Sequence, residues 1–162
     1  MAAKKSLQDL GIDYFDLYLI HFPIALRFVP FETRYPPEWV YDPSAELPKM
    51  EHASVPVMET WRAMERLVEN GLTRNIGLAN FNVQGVRDIL SYAHIPPSVL
   101  QVELHPYNTQ SKLLRFCKEE GIAVTGFSPL GAGSYQALGW TTQKDSVLNN
   151  KVIAEIADEK GI

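Results

Sequence analysis

Short apolar runs rich in β-branched and aromatic residues recur along the chain, and amphipathic helical patterns separate them. Four runs have the length and composition of buried strands: residues 15–22, 73–81, 98–105 and 122–130. Near-continuous apolar runs are typical of parallel strands that helices cover on their outer side. The first run, FDLYLIHF, is predicted to be buried on both faces, although it carries an ionisable ring, His21, near its end.

Helical patterns with recognisable ends lie around these strands. Ser54 is the predicted N-cap of a helix with Pro56 in its first turn, and Asn82 is the predicted N-cap of the next helix. The last helix is expected to start at Asp145 or Ser146, and residues 1–11 are expected to be the end of one more helix. The apolar stripes predicted to face inward are Trp61, Met64, Leu67 and Val68; Val83, Val86, Leu90 and Ala93; Leu113, Leu114 and Cys117; and Leu148, Val152 and Ile156.

Alternation of strands and helices predicts an α/β fold with a parallel sheet, and two architectures fit it. One is an open, doubly wound sheet, and the other is part of a (β/α)₈ barrel, which needs about 250 residues when complete. The chain has 162 residues and only four predicted strands, which favours a barrel segment. Both architectures place functional residues at the carboxyl ends of the strands.

Composition narrows the function classes. The formal net charge is −4, so a basic nucleic-acid-binding face is not expected. No apolar run approaches the roughly 20 residues that are needed to cross a bilayer, so we expect no association with a membrane. Cys117 is the only cysteine, which excludes an internal disulfide and favours a reducing, cytoplasmic setting. No His and Cys cluster has metal-ligand spacing, so no metal site is predicted.

Polar residues follow or end the predicted strands. His21, Asn80 and Ser128 lie at strand ends, and Gln101 lies within the third strand, with Glu103 and His105 beyond it. Any one of these alone is better explained as a polar group that starts a loop. Because carboxyl ends of parallel strands share one edge of a sheet, four such residues together favour a common pocket.

The stretch PLGAGSYQ contains Gly131 and Gly133 after the fourth strand. A dinucleotide fingerprint needs a third glycine three residues after the second, where this chain has Gln136. We therefore interpret the stretch as a flexible loop near a pocket, and not as a Rossmann phosphate turn.

Four segments, in order and spacing, resemble the aldo-keto reductase family. They are DLYLIHFP at 16–23, NGLTRNIGLANF at 70–81, LQVELHPYNTQ at 100–110 and IAVTGFSPLG at 122–131. HFPIALRFVPFETRYPPEW, beginning at His21, resembles the xylose and aldose reductase branch. The resemblance implies a partial (β/α)₈ barrel, from about the fourth to the seventh family strand. Residues 1–162 would then form a single partial oxidoreductase domain, with 24–53 as its substrate-loop insertion.

The same resemblance implies an activity and a set of site residues. Family members transfer hydride from NADPH, sometimes NADH, to an aldehyde or ketone, here an aldose or xylose-like sugar. His21 matches the active-site histidine that hydrogen-bonds the substrate carbonyl, and Phe22 matches a wall of the substrate pocket. Asn80 and Gln101 match the residues that hold the nicotinamide carboxamide. Positions matching the nicotinamide-stacking aromatic and the pyrophosphate path are Phe127, Ser128 and Leu130.

Departures from the family pattern accompany the resemblance. Ala79 stands where a serine is usual, and Ala132 and Ser134 stand where many members have serine and aspartate over the pyrophosphate. The family's proton-donating tyrosine, with its lysine and aspartate, lies on strands expected to precede Met1. Neither Tyr14 nor Tyr18 has the context of that acid, and general acid catalysis contributes typically 10²–10⁴-fold.

Three hypotheses follow. The first is a fragment of an aldehyde or aldose reductase, with a small carbonyl substrate as its partner and little or no activity of its own. The second is a cofactor-binding half-barrel without turnover, which pairs into a homodimer to cover its sheet edges. The third is an unrelated doubly wound sheet in which the first and fourth strands occupy a reordered sheet.

Overall fold

The computed structural model describes residues 1–36, 40–131 and 133–162. Helices and strands alternate along the chain, as the apolar pattern predicts. The helices are α1 (Ala2–Leu10), α2 (Val57–Glu69), α3 (Val83–Tyr92), α4 (Ser111–Glu119), α5 (Ser134–Ala137) and α6 (Lys151–Lys160), and 3₁₀ turns cover Gln143–Asp145 and Val147–Asn149. The strands are β1 (Phe15–Ile20), β2 (Thr73–Ala79), β3 (Val99–Glu103) and β4 (Ala123–Phe127).

The four strands form one parallel sheet in the order β1-β2-β3-β4. This sequential order is that of a (β/α)₈ barrel segment, because a doubly wound sheet reverses its order at a switch point. The partial-barrel prediction is confirmed, and the third hypothesis, a reordered doubly wound sheet, is wrong.

One face of the sheet carries the core. Side chains alternate between the two faces of a strand, so Ile76, Leu78, Leu100 and Val102 share the face that α2, α3 and α4 cover. Trp61 of α2 is fully buried there, and its indole N–H donates to the carbonyl oxygen of Ile95 at 3.1 Å. The opposite face carries Ala79, Gln101, Glu103 and Phe127. In the sheet, Ala79 pairs with Gln101 and Glu103 pairs with Phe127.

A buried carboxylate fastens the turn before β3. Glu65 of α2 is 3% exposed and accepts hydrogen bonds from the backbone N–H groups of His94 and Ile95, at 2.7 and 3.0 Å. Arg62 adds an ion pair at 2.8 Å. Burial alone would raise the pKa of Glu65, but the Ile95, Arg62 and His94 donors outweigh it and lower the pKa.

The prediction that the first strand is buried on both faces is wrong. β1 lies at one edge of the sheet, and Leu17 is 37% exposed. Apolar composition predicts a strand, but burial depends on neighbours on both sides, and β1 pairs only with β2 in the described residues.

Two predicted helix starts are also wrong. The first of these helices begins at Val57, after Ser54 and with Pro56 as N-cap, because the Pro56 carbonyl accepts from Glu59 N–H at 3.0 Å. The last helix begins at Lys151, and not at Asp145 or Ser146.

Asparagine side chains shorten that last helix. The Asn150 side chain accepts from Val152 N–H at 2.9 Å, and Asn149 donates to the Gln143 carbonyl at 3.0 Å. Leu148, Val152 and Ile156, predicted to face inward, are exposed, because the described sheet ends at β4 and offers them no further strand.

Other local predictions are confirmed. Asn82 caps α3 by accepting from Gly85 N–H at 2.9 Å. Gly71 and Gly121 follow α2 and α4 with φ values of 68° and 71°, which glycine adopts without strain. Val86 of the α3 stripe is fully buried, whereas Val83 at its start is exposed. Among the described residues, no helix has the length and apolar character that crossing a membrane requires.

Candidate active site

The predicted site residues gather at the carboxyl edge of the sheet. His21 directly follows β1, Asn80 directly follows β2, and Ser128 directly follows β4. Gln101 lies in the middle of β3, on the face opposite the core, and pairs with Ala79 and Thr125 of the flanking strands. Because the strands are parallel, His21, Asn80 and Ser128 lie at the same end of the sheet, and Gln101 lies two residues before the end of β3.

Asn80 joins three strands at this edge. Its side-chain Nδ2 donates to the His21 carbonyl oxygen at 2.9 Å, and its backbone N–H donates to the Gln101 carbonyl oxygen at 2.8 Å. Its φ of 62° lies in the left-handed region, which asparagine tolerates better than most residues. The backbone turn and the side-chain bond together fix the Asn80 amide next to His21.

A second left-handed residue turns the chain at the end of β4. Ser128 has a φ of 51°, and its carbonyl accepts from Gly131 N–H at 2.9 Å. The Phe127 carbonyl accepts from Leu104 N–H at 3.1 Å, which continues the pairing of β3 with β4 up to the residue before Ser128, and the Phe127 side chain is half-buried. Two strand ends therefore carry strained, non-glycine residues, as is frequent at functional sites.

A cleft of about 760 Å³ opens at this edge, and Asn80, Phe127 and Glu103 line it together with the starts of α3 and α4. Leu130, which is 64% exposed, lines a neighbouring cavity of about 280 Å³. The structure thus brings Asn80 and Phe127 into one cleft and places Leu130 in the next, with Glu103 in the wall of both.

Phe22 lies apart from these cavities. Its ring centroid is 4.2 Å from that of His21, and Phe22 also lines a small cavity of about 40 Å³ with Ile20, Val57 and Phe81. His21 itself is exposed. Phe22 therefore contacts the His21 ring and borders a cavity that Val57 of α2 also lines.

Sequence reasoning assigned no role to the network around Glu103. One carboxylate oxygen lies 3.0 Å from His105 Nε2, and the other accepts from the Tyr135 hydroxyl at 3.3 Å. The negative charge of Glu103, with some burial and the hydrogen bond, raises the pKa of Tyr135, so the phenol stays protonated. The only sequence signal was Glu103 and His105 two residues apart at a strand end.

The departures noted in the sequence lie around the same edge. Ala79, next to Asn80, is buried, and its methyl side chain supplies no hydroxyl at that position. Ser134 is exposed at the start of α5, and Ala132 lies outside the described residues. No cluster of His, Cys, Asp and Glu suited to a metal ion is present in the described parts of the chain.

Comparison with known proteins gives the family. Residues 1–156 match the aldo/keto reductase family. The chain is 46% identical over 161 residues to a probable NAD(P)H-dependent D-xylose reductase of Emericella nidulans, covering 98% of this chain and 49% of that protein. It is 43% identical over 159 residues to 4-dihydromethyl-trisporate dehydrogenase of Mucor mucedo, with 98% of this chain and 49% of that protein covered.

Solved structures agree with this assignment. Aldose reductase from Giardia lamblia superposes with a TM-score of 0.79 and 38% identity, over 99% of this chain and 48% of that one. A Bombyx mori aldo-keto reductase in complex with NADP superposes with a TM-score of 0.64 and 36% identity, over 78% of this chain and 35% of that one.

A parallel α/β sheet in sequential strand order, with polar residues at the carboxyl ends of its strands, is the arrangement of a (β/α)₈-barrel segment. The chain belongs to the aldo/keto reductase family, which confirms the resemblance found in the sequence. It spans about half the length of the curated relatives it matches.

Proposed function

We propose that this chain carries the His21 side of an NAD(P)H-dependent carbonyl reductase site, which reduces an aldehyde or ketone, such as an aldose, to the alcohol. The observation that carries the proposal is the pair of Asn80 hydrogen bonds, which join the ends of β1 and β2 to the middle of β3 and keep Asn80 next to the backbone of Gln101, the other predicted carboxamide ligand. Relatives named as NAD(P)H-dependent D-xylose reductases support the reaction class.

The residues present suit a nicotinamide cofactor. In the described residues, the Gln101 carboxamide makes no side-chain hydrogen bond, so it can donate to and accept from another amide. Within the described parts of the chain, no group donates to Asn80 Oδ1, and Phe127 lines the same cleft as Asn80. Asn80, Gln101 and Phe127 would hold NADPH, or NADH, which would supply the hydride for reduction of a carbonyl. A relative solved in complex with NADP supports this assignment.

Each residue has a proposed task. Asn80 and Gln101 orient the carboxamide, and Phe127 offers a stacking surface. Ser128 and Leu130 lie along the path of the pyrophosphate. His21 donates an N–H to the substrate carbonyl, which polarises it toward hydride addition, and Phe22 walls the substrate side. The segment 24–53 is proposed as the substrate loop, tied at its ends by the Leu26–His52 bridge and the Arg27–Glu51 ion pair at 2.8 Å.

Proton donation sets the expected level of activity. The tyrosine, lysine and aspartate of the family acid have no counterpart that the resemblance identifies within residues 1–162. We therefore expect this chain alone to turn over slowly.

The buried Cys117 thiol is consistent with the reducing, cytoplasmic setting we propose.

The test is consumption of NADPH, followed by absorbance, with the purified chain and D-xylose or a small aldehyde. His21→Ala is expected to lower whatever turnover the chain has by about 100-fold, the effect of removing one oxyanion-type donor. His94→Ala, an exposed histidine before β3, is the matched control and is expected to leave turnover unchanged. Equal turnover in the two variants would contradict the role of His21.

A second function, a dimeric cofactor-binding half-barrel without turnover, is favoured by one observation. β1 and β4 are edge strands, and on the face away from the helices Leu17 and Thr125 are exposed. Unpaired edges tend to associate. Analytical ultracentrifugation distinguishes the two functions, because a strictly monomeric chain contradicts the dimeric one.

A further inference from the structure

A single carboxylate connects the loops that follow β3 and β4. Glu103, the last residue of β3, contacts His105 Nε2 at 3.0 Å through one oxygen and the Tyr135 hydroxyl at 3.3 Å through the other. Tyr135 belongs to α5 and lies 32 residues away in the sequence. The carboxylate side chain is 23% exposed and that of His105 is 11% exposed, so water competes only partly for these bonds.

His105 orients the carboxylate. Its Nδ1 accepts from Tyr107 backbone N–H at 3.2 Å, so the neutral ring carries its proton on Nε2 and donates to Glu103. The Glu103 carbonyl oxygen adds two bonds, accepting from Asn108 and Gln110 side chains at 3.2 and 3.4 Å. The loop after β3 is therefore wrapped around Glu103 on both sides.

A second tie joins the same two loops. Asn150, the N-cap of α6, donates to the Tyr107 hydroxyl at 2.7 Å. The cavity of about 280 Å³ lies between this tie and Glu103, and Leu130 and Gly131 belong to its wall.

Apolar packing does little to fix the segment between the ties. α5 has no buried residue, and Leu130 is 64% exposed. The buried anchor close to the β4 turn is Val147, which approaches the Cα side of Gly131. Two side-chain polar contacts, Glu103–Tyr135 and Asn150–Tyr107, therefore connect this segment to the loop after β3.

We infer that Glu103 is a positioning residue, whose carboxylate, aligned by His105, holds the segment after β4 in place through Tyr135. The inference rests on the proposed function in one respect, because Ser128 and Leu130, the proposed cofactor contacts, lie on that segment. Glu103 also pairs with Phe127 in the sheet register, so the same residue borders the proposed stacking surface.

The test compares Tyr135→Phe and Glu103→Gln with Tyr14→Phe, a matched control whose ring lies under Arg74 and away from the segment. Hydrogen exchange is measured in the cofactor-free chain at the Leu138, Gly139 and Trp140 amides, which bond within the segment. We expect about five- to tenfold faster exchange in Tyr135→Phe and Glu103→Gln, no change in the control, and no additional effect in the double variant. Unchanged exchange in Tyr135→Phe overturns the inference, even if Glu103→Gln fails to fold.

NADPH affinity, measured by fluorescence titration, is the second readout. We expect the dissociation constant to rise about threefold or more in Tyr135→Phe, while its urea unfolding midpoint matches that of Tyr14→Phe. Faster exchange with an unchanged dissociation constant overturns the positioning of the cofactor contacts. A folded wild-type chain that binds no NADPH instead contradicts the proposed function, and hydrogen exchange still decides whether Glu103 holds the segment.

Discussion

Asn80 donates its side-chain hydrogen bond to the backbone carbonyl oxygen of His21, across 59 residues of sequence and 2.9 Å of space. His21 directly follows β1 and Asn80 directly follows β2, and these two strands are neighbours in the sheet. The bond therefore ties the framework of the sheet directly to the proposed catalytic histidine, and changes at Asn80 are expected to affect both.

Two substitutions at Asn80 distinguish the contribution of its backbone turn to stability from the contribution of its side-chain hydrogen bond. Asn80→Gly keeps the left-handed turn and removes only the amide, so we expect a loss of about 1 kcal/mol in the free energy of unfolding. Asn80→Ala also places alanine, which has a Cβ but no polar side chain to hydrogen-bond locally, at a φ of 62°. We expect this variant to lose about 2 kcal/mol in the free energy of unfolding. Urea unfolding measures both, and an alanine variant as stable as the glycine variant would contradict the importance of the turn.

Gly77 is required by the pairing of β2 with β3. A Cβ at this position would lie 2.5 Å from the Val99 carbonyl oxygen, a backbone atom that cannot move without separating the strands. Gly77→Ala is therefore expected to lower the free energy of unfolding by about 3 kcal/mol.

Gly126→Ala is the matched control for that change. The atoms nearest to a Cβ at Gly126 belong to Leu104, with its Cβ at 3.0 Å and its Cδ2 at 3.2 Å, so the contact is less severe than at Gly77 and requires a shift of only a few tenths of an ångström. We expect Gly126→Ala to lose about 1 kcal/mol in the free energy of unfolding. Equal losses in the two variants would contradict the claim that Gly77 is needed for the close spacing of β2 and β3.

Glu65 predicts a pH dependence of stability. Its pKa is lowered in the folded chain, so its contribution is fully present above the unfolded value of 4.5 and is lost as the pH falls through the folded value. Glu65→Gln should lower stability by about 2 kcal/mol at neutral pH, since charged hydrogen bonds to His94 and Ile95 are weakened. The difference in the free energy of unfolding between wild type and Glu65→Gln, measured by urea unfolding, should become smaller below pH 4.5. A difference that does not change with pH would contradict this role.

Tyr92 predicts a second titration, at the alkaline end. Burial, with the Asp88 charge and hydrogen bond, raises its pKa to about 12. Its folded pKa exceeds the unfolded value of 10.0, so its contribution to stability is present below that value and is lost as the pH rises toward about 12. The phenolate absorbance difference between wild type and Tyr92→Phe should have its midpoint near the raised value, and a midpoint at the unfolded value would refute the prediction.

Sequence reasoning succeeded where local chemistry decides the structure. The Asn82 cap, the glycines after α2 and α4, and the positions of the four strands each depend on residues close in sequence. It failed for the burial of Leu17, because exposure of an edge strand depends on which strands lie beside it. It also failed for the start of α6, where Asn149 and Asn150 side chains compete with helical hydrogen bonding.

The candidate site was predictable only in part, for the same reason. Strand-end positions of His21, Asn80 and Ser128 follow from the order of strands, and their grouping follows from parallel pairing. The contact between Glu103 and Tyr135 joins residues on different loops, and no periodicity or motif connects them. Such contacts depend on how two loops meet, which a single sequence does not determine.

The most direct test of the account is the affinity of the folded chain for NADPH, measured by fluorescence titration in wild type, Gln101→Ala and Gln84→Ala. Gln84 is an exposed residue of α3 and serves as the matched control. The proposed carboxamide contact predicts that wild type and Gln84→Ala bind alike and that Gln101→Ala binds about tenfold more weakly. Equal affinities in all three, or no binding by the folded wild-type chain, would contradict a nicotinamide site at the carboxyl edge of this sheet.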